Sequence, residues 1–268
     1  MSQPNPMTEA FYTKGWVTLP HDPKVIDWMS HVSPIAKTIV TDTQNTHWLR
    51  CDKTWFVGVN ILPNDPTGAV AGSGALRGQA IDLLAQLDLP QNTFDQAQLS
   101  VIYPGYPKPH TGETEAATRF RRDRDAAHVD GLLPIGPERQ RMLREPHAFV
   151  LGLPMTKTDP GASPLVVWEG SHEVIRAALK TRLDPISPQD WPTTDLTKAY
   201  TTARRQVFAT CKRVTVHANP GEAYLVHRLA LHGVAPWQTG ANAPPEGRII
   251  AYFRPELSGA ISDWLNLP

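Results

Sequence analysis

The sequence predicts a mainly β fold with flanking helices, namely a double-stranded β-helix, or jelly roll, with helices packed outside it. The 26 prolines and 18 glycines among 268 residues disfavour long helices and favour many short strands joined by turns. Helical patterns dominate residues 1–94, whereas strand patterns dominate the predicted jelly-roll core at about 95–256. We expect one domain over residues 1–268, with a barrel that can enclose a small ligand.

The N-terminal part contains four predicted elements. In chain order they are a short helix leading into an edge strand over residues 8–19, a helix from Asp22 to about 38, a hairpin or two linked strands within 47–62, and a helix from Ser73 to about Leu87. A proline near the first turn supports the second element, and aromatic and β-branched residues support the third. Apolar residues at near-helical spacing support the fourth.

From residue 97 the pattern is mostly strand. The predicted strands include residues 98–103, 147–153, 164–168 and 213–217, with helices at 173–181 and 195–210, a proline-rich irregular segment at 183–194, and a tail or short helix at 258–268. Residues 104–127 are predicted to be a long polar loop, and loops of this length often form lids or rims of functional sites.

Composition narrows the possible partners. The 26 Lys and Arg residues balance the 26 Asp and Glu residues, so no net charge favours nucleic acid or an anionic membrane. Two cysteines, Cys51 and Cys211, make neither a disulfide framework nor a cysteine metal site. The first residues do not read as a signal peptide, and no apolar run approaches the roughly 18 residues of a membrane span. We expect a cytoplasmic protein with a small-molecule substrate.

Residues that could bind a metal ion or a charged ligand are concentrated between Pro220 and Phe253. The Pro220-Gly221 turn precedes an apolar run that reads as a buried strand ending in His232-Gly233. A second strand then carries Arg248 among apolar neighbours. A charged side chain in such surroundings is costly unless a partner compensates it, so Arg248 needs a function.

Upstream, His128-Val-Asp130 places a histidine and an acid on one face of an extended segment, because side chains alternate with period 2. Two histidines and one carboxylate can hold one face of an octahedral iron(II) and leave the opposite positions open. A His-X-Asp triplet alone is a weak signal. The order of the candidate residues along the chain is more informative, because His232 follows His128 by 104 residues and Arg248 follows His232 by 16.

The second histidine has alternatives, because His217 and His227 lie close to His232 in sequence. We favour His232, since Gly233 lets the backbone turn tightly beside a metal. Arg248 can bind the distal carboxylate of a dicarboxylate cosubstrate bidentately. Arg254 competes for that role, but it precedes Pro255 and reads as a solvated strand exit.

These features together resemble the phytanoyl-CoA dioxygenase family of iron(II)/2-oxoglutarate oxygenases. The resemblance is carried by His128-Val-Asp130, Gly170-Ser-His172 after Pro164-Leu-Val-Val, Pro220-Gly-Glu with His232-Gly233, Arg248, and the opening Phe11…Gly15-Trp-Val-Thr-Leu19. It implies that His128, Asp130 and His232 are catalytic iron ligands and that Arg248 binds 2-oxoglutarate. The implied reaction consumes O2, hydroxylates a small molecule, and releases succinate and CO2.

Some positions within this resemblance have two possible roles. Gln98 and Tyr103 are plausible cosubstrate neighbours, but strand alternation allows at most one to face inward unless a bulge intervenes. Glu169 stands where the family has a proline, so it either contacts a substrate or faces solvent. The arginines of 119–124 could attract an anion, although the interleaved Asp123 and Asp125 favour a self-paired, solvated loop.

Two other classes of function compete with an oxygenase. A non-catalytic jelly-roll protein that binds a metal or ligand would not need three metal ligands together with Arg248. A zinc hydrolase would use the same ligand types to activate water, but it would not need a buried arginine.

Overall fold

The computed structural model describes residues 5–87, 89, 93–110 and 112–268. The α-helices in these ranges are α1 (Pro6–Lys14), α2 (Pro23–Thr41), α3 (Gln79–Leu84), α4 (Glu115–Asp123), α5 (Ser171–Leu183), α6 (Thr197–Thr210) and α7 (Asp263–Asn266). Two 3-10 helices cover Thr43–Trp48 and Pro188–Thr193. None of the helices in these ranges is both long and apolar enough to cross a membrane.

The strands fall into three sheets. They are β1 (Trp16–Leu19), β2 (Leu49–Arg50), β3 (Trp55–Gly58), β4 (Gln98–Ile102), β5 (Leu132–Ile135), β6 (Gln140–Leu143), β7 (Phe149–Pro154), β8 (Leu165–Trp168), β9 (Arg213–Val216), β10 (Ala223–His227), β11 (His232–Val234) and β12 (Arg248–Phe253). The large sheet has the order β1-β10-β7-β12-β4-β3-β2, the small sheet has the order β11-β8-β9, and β5 pairs with β6. Neighbouring strands are antiparallel.

This arrangement confirms the predicted fold class, which is mainly β with flanking helices in a jelly-roll arrangement. The predicted edge strand near the N-terminus is β1, which lies at one edge of the large sheet, and the predicted hairpin is β2 and β3, which lie at the other edge. Strands from the N-terminal part therefore extend the sheet that β4, β7, β10 and β12 form.

Side-chain alternation on β12 separates two apolar layers. Ile249, Ala251 and Phe253 pack into the main core with the helices. Ile250 and Tyr252 instead pack in a second cluster that includes side chains of β8 in the small sheet. The space between the two sheets is therefore lined by the even-numbered residues of β12, and this inner face positions the candidate site.

The helix predicted to begin at Ser73 begins at Gln79, so that prediction was wrong. Gly78 has φ +115°, and a Cβ there would meet the Asp22 carboxylate at 2.4 Å. Asp22 accepts hydrogen bonds from Lys24 N at 2.9 Å and from Gln79 N at 2.7 Å. One carboxylate therefore satisfies amide groups at the N-termini of both α2 and α3, and the close approach at Gly78 fixes where α3 begins.

The predicted polar loop at 104–127 contains α4, so that prediction was also wrong. Thr114 caps α4 by accepting from Ala117 N at 3.2 Å. The many charged residues of α4 hid its apolar contact with α6, in which the ring centroids of Phe120 and Phe208 are 6.4 Å apart. The hairpin of β5 and β6 was not predicted either.

The apolar run after Pro220-Gly221 is two strands rather than one. β10 belongs to the large sheet and β11 to the small sheet, and the residues between them cross from one sheet to the other. Ser171 Oγ accepts a hydrogen bond from Leu231 N at 2.8 Å, which fixes this crossing. The Gly170-Ser-His172 turn therefore positions the chain immediately before His232.

Candidate metal centre

The structure brings together His128, Asp130 and His232. Each offers one ligand atom, and the three atoms lie within 4.8 Å of one another. Asp130 Oδ1 lies 3.1 Å from His128 Nε2 and 3.8 Å from His232 Nε2. Two imidazole nitrogens and a carboxylate oxygen therefore converge on one point, as the ligands of a divalent metal ion do.

Backbone pairing holds the two histidines side by side. His128 N donates to His232 O at 2.8 Å, and His232 N donates to His128 O at 3.0 Å. His128 thus adds an isolated bridge to the edge of β11, and the two imidazole centroids are 4.7 Å apart.

Gly233 does not form the predicted tight turn; it allows close packing of the backbone. It lies within β11, and a Cβ at this position would be 2.1 Å from the Asp125 carbonyl oxygen. Val234 N donates to that same carbonyl at 2.8 Å. Gly233 is therefore needed because the segment leading to His128 passes directly over β11.

Hydrogen bonds orient both imidazole rings. Nδ1 of His128 lies 2.9 Å from the Ala126 carbonyl oxygen, and Nδ1 of His232 lies 2.9 Å from the Ala230 carbonyl oxygen. A carbonyl can only accept, so each Nδ1 carries a proton and donates it, and each Nε2 faces Asp130. Metal-binding histidines commonly donate their second nitrogen to a carbonyl in this way, so the residues present fit a metal ion.

The groups around Asp130 favour the ionised form of its carboxylate. Burial would raise the pKa of Asp130, but Arg254, His128 and His232 hold this pKa well below its usual range. Burial lowers the pKa of His232 to about 4, and the neighbouring His128 contributes to that shift. Burial also acts to lower the pKa of His128, but hydrogen bonding to Asp130 outweighs it and raises this pKa.

A cavity of about 230 Å³ adjoins the three residues. Its lining is mostly apolar and aromatic, with a few polar side chains; besides the triad it comprises Trp55, Val57, Val59, Gln98, Ser100, Val150, Leu165, Gly233, Val234, Tyr252 and Arg254. A concave, largely apolar space with a few convergent polar groups is typical of a small-molecule site.

Arg254 lies in the site, which corrects the prediction that it is solvated. Its side chain is 15% exposed, and its Nη1 lies 3.4 Å from Asp130 Oδ2. Pro255 suggested that the strand ends before Arg254, but the alternation of side chains continues for one more residue. Arg254 and Arg248 both have even numbers, so the alternation rule could have placed both arginines on the inner face.

Arg248 lies at the other end of that face. It is 5% exposed, and its Nη1 has no hydrogen-bond partner among the described residues. Burial raises the pKa of Tyr224 well above its usual range, while the charge of Arg248 and a hydrogen bond with it act in the opposite direction. Tyr224 donates to Tyr252 Oη at 2.8 Å, and Tyr252 lines the cavity whereas Arg248 does not. Two tyrosines therefore connect Arg248 to the cavity wall.

Of the two proposed cosubstrate neighbours, only Gln98 lines the cavity. Tyr103 follows the end of β4, and a Cβ on Gly247 would lie 2.9 Å from its ring. Burial raises the pKa of the Tyr103 hydroxyl. The alternation rule, which allowed only one of the two to face inward, matches this arrangement, and Ser100 shares the inward face with Gln98.

The alternative histidines lie elsewhere. His227 Nε2 is 3.1 Å from Arg176 Nη2, and His227 Nδ1 accepts from Leu229 N at 3.0 Å. His217 Nε2 is 2.9 Å from the Thr158 carbonyl oxygen. Both rings therefore use their nitrogens in contacts away from Asp130.

The remaining candidates do not line the cavity. Glu169 lies 3.9 Å from Lys212 Nζ. In and beside α4, Arg121 pairs with Glu113, and Arg122 pairs with Asp123 at 2.7 Å. These pairs agree with the self-paired arrangement favoured for this segment. Asp125 does not, because it is buried and pairs with Arg213 of β9 at 2.7 Å.

Comparison with known proteins gives structural likeness only. No protein-family model matches the chain, and no curated protein matches it. The non-heme alpha-ketoglutarate-dependent epimerase SnoN from nogalamycin biosynthesis is 11% identical with a TM-score of 0.49, covering 94% of this chain and 81% of SnoN. AviO1 from Streptomyces viridochromogenes Tue57 is 15% identical with a TM-score of 0.47, covering 95% and 96%.

EctD from S. alaskensis, solved with 2-oxoglutarate and 5-hydroxyectoine, is 14% identical with a TM-score of 0.44, covering 95% of this chain and 75% of EctD. Likenesses at these identities and TM-scores do not decide what this chain does. Its function must be argued from its own residues.

Proposed function

We propose that this protein is an iron(II)- and 2-oxoglutarate-dependent oxygenase that hydroxylates a small molecule and releases succinate and CO2. The observation that carries the proposal is the convergence of His128, Asp130 and His232 beside a largely apolar cavity, with both Nε2 atoms turned toward the carboxylate. Two imidazoles and one carboxylate suit non-heme iron(II), and they leave positions for other ligands.

Arg248 distinguishes this proposal from a zinc hydrolase with the same three ligands. Its guanidinium is almost completely buried, its Nη1 has no partner, and no acid within the described ranges forms a salt bridge with it. A buried unpaired cation is costly, so a ligand that carries a negative charge would offset this cost. A hydrolase needs no such ligand, whereas 2-oxoglutarate brings a distal carboxylate.

In this proposal the protein binds and orients, while iron(II) with 2-oxoglutarate and O2 supplies the oxidising chemistry. His128, Asp130 and His232 hold the metal. Arg248 supplies the counter-charge for the distal carboxylate, with Tyr224 and Tyr252 beside it. The apolar walls exclude water and surround the substrate.

The cavity volume of about 230 Å³ supports a small substrate. Because the cavity is this small, we do not propose a fatty acyl thioester as the substrate. A substrate screen in which only acyl-CoA thioesters stimulated turnover would contradict this part of the proposal. Membership of the phytanoyl-CoA dioxygenase family, a single domain and a cytoplasmic location stay predictions.

The test is succinate formation from 2-oxoglutarate by purified protein with iron(II) and ascorbate. The variants are Asp130→Ala and Arg248→Ala, and Arg176→Ala is a buried-arginine control away from the cavity. We expect slow uncoupled turnover in the wild type and the control, none in Asp130→Ala, and a raised 2-oxoglutarate requirement in Arg248→Ala. Absence of turnover in the wild type, together with no 2-oxoglutarate binding to its anaerobic iron(II) form, would refute the proposal.

A further inference from the structure

The two oxygens of the Asp130 carboxylate face different partners. Oδ1 is the oxygen that lies 3.1 Å from His128 Nε2 and 3.8 Å from His232 Nε2. Oδ2 is the oxygen that lies 3.4 Å from Arg254 Nη1. One oxygen therefore points toward the position of the metal ion, and the other points toward a cation of the protein.

The surroundings of Arg254 fix it in this position. Its side chain is 15% exposed and lines the cavity. The backbone that follows is held by a hydrogen bond from Ala148 N to the Pro255 carbonyl at 2.7 Å. Glu145, an acid close in sequence to Asp130, is engaged by His147 Nε2 at 3.2 Å. Asp130 is thus the acid that Arg254 pairs with in the described part of the chain.

We infer that Arg254 is a positioning residue that holds Oδ2, so that Asp130 offers a single oxygen, Oδ1, to the metal. The inference rests on the proposed function. A carboxylate can bind a metal through one oxygen or through both. Three protein ligand atoms leave three of six positions, two for 2-oxoglutarate and one for O2, the second cosubstrate. Binding through both Asp130 oxygens would occupy the position that O2 needs, and a hydrogen bond to the second oxygen prevents this.

The inference makes metal binding and O2 binding respond differently to loss of Arg254. Without the guanidinium, Oδ2 is released and can join Oδ1 on the metal. Loss of a nearby positive charge also favours a bound cation. Metal affinity should therefore persist and 2-oxoglutarate can still take two positions, whereas the position for O2 is lost.

The experiment compares wild type, Arg254→Met, Arg254→Lys and Arg176→Met, each loaded with Mn(II) as a redox-inactive probe. Arg176 is a matched control, because its side chain is also 15% exposed and contacts His227 rather than the cavity. Crystal structures of the Mn(II) forms report how Asp130 binds. Titrations under anaerobic conditions give the Kd values for Mn(II) and then for 2-oxoglutarate.

We expect one Asp130 oxygen on Mn(II) in wild type, Arg254→Lys and Arg176→Met, and two in Arg254→Met. For Arg254→Met we expect Mn(II) and 2-oxoglutarate Kd values within about threefold of wild type. The structure of its Mn(II) form with 2-oxoglutarate should lack the water that fills the sixth position in wild type. Arg254→Lys should keep the water in the sixth position, because it returns a donor and a charge.

The inference is overturned if Asp130 binds through both oxygens in wild type, or through one oxygen in Arg254→Met. It is also overturned if Arg254→Met loses Mn(II), because the arginine would then assemble the site rather than orient one oxygen. A wild type that binds Mn(II) but not 2-oxoglutarate would refute the proposed function, and the structures would still decide the orientation of Asp130.

Discussion

The molecule contains two close pairs of histidines, and only one of them has the features of a metal centre. The rings of His128 and His232 are 4.7 Å apart, and those of His172 and His227 are 4.8 Å apart. Spacing alone does not separate the pairs. The difference lies in what each ring nitrogen faces.

In the first pair, both Nδ1 atoms donate to carbonyls, and both Nε2 atoms turn toward the buried carboxylate of Asp130. In the second pair, His172 Nε2 is 2.8 Å from the Tyr12 carbonyl, and His227 Nε2 faces the Arg176 guanidinium. The neighbouring acid, Glu173, lies on the exposed side of that pair. A buried carboxylate gives the first pair a metal-binding character, whereas the second pair contributes to stability.

The largest expected effect comes from removing the carboxylate beside each pair. Asp130→Ala should raise the Mn(II) Kd at least about 100-fold and abolish succinate formation, because an anionic ligand is lost. Glu173→Ala should change neither quantity by more than about twofold, because Glu173 is 61% exposed and reaches only His172 and Arg176. Calorimetric titration and turnover measurements provide the test. Equal losses of Mn(II) affinity and succinate formation in the two variants would show that the two histidine pairs do not differ in this way.

Replacing one histidine of each pair should separate binding from folding. His227→Ala should lower the free energy of unfolding by about 1–3 kcal/mol with an unchanged Mn(II) Kd, because it leaves Leu229 N without its acceptor and opens a buried space. His232→Ala should instead remove Mn(II) binding. Urea denaturation and Mn(II) titration of both variants provide the measurements. A loss of metal binding in His227→Ala would count against the assignment.

The second pair, His172 and His227, should also make the free energy of unfolding fall in mild acid. Burial lowers the pKa of His172, and burial with the charges of Arg228, His172 and Arg176 lowers that of His227 well below its usual range. Glu173 opposes this shift at His172, but from the solvent side. The unfolded chain therefore binds more protons than the folded chain below about pH 6.5, the ordinary histidine pKa. Stability from these residues is complete above that pH and is lost as the pH falls.

The free energy of unfolding should fall by up to about 1.4 kcal/mol per pH unit for each histidine whose pKa is fully shifted. His232, whose pKa is lowered to about 4, contributes in the same direction, and His128 contributes in the opposite direction. Urea denaturation between pH 7 and pH 5 measures the slope. His227→Gln should reduce it, and a slope identical to wild type would show that His227 does not titrate on unfolding.

The smallest expected effect concerns Ser171, which joins the two pairs. It precedes His172, and its Oγ accepts from Leu231 N, which precedes His232. Ser171→Ala should cost about 1–2 kcal/mol of unfolding free energy because a buried amide loses its acceptor. It should weaken Mn(II) binding only a few-fold, and Ser171→Thr is the matched variant that keeps the hydroxyl. A full loss of metal binding in Ser171→Ala would mean that this turn is part of the metal centre.

The sequence was sufficient where periodicity and residue type decide the outcome. Alternation placed His128 and Asp130 on one face, and it limited the inward choice between Gln98 and Tyr103. Arg254 was misplaced because Pro255, a local signal, suggested a strand end, whereas the inner face of β12 continues to Arg254. The reason for Gly233 depends on the Asp125 carbonyl, which is 108 residues away and cannot be read from neighbouring residues.

The reciprocal backbone hydrogen bonds between His128 and His232 have a consequence for how the protein is made. During synthesis the chain must extend beyond residue 232 before the edge of the small sheet can receive His128. A nascent chain therefore cannot bring the three candidate ligands together until β11 has been synthesised.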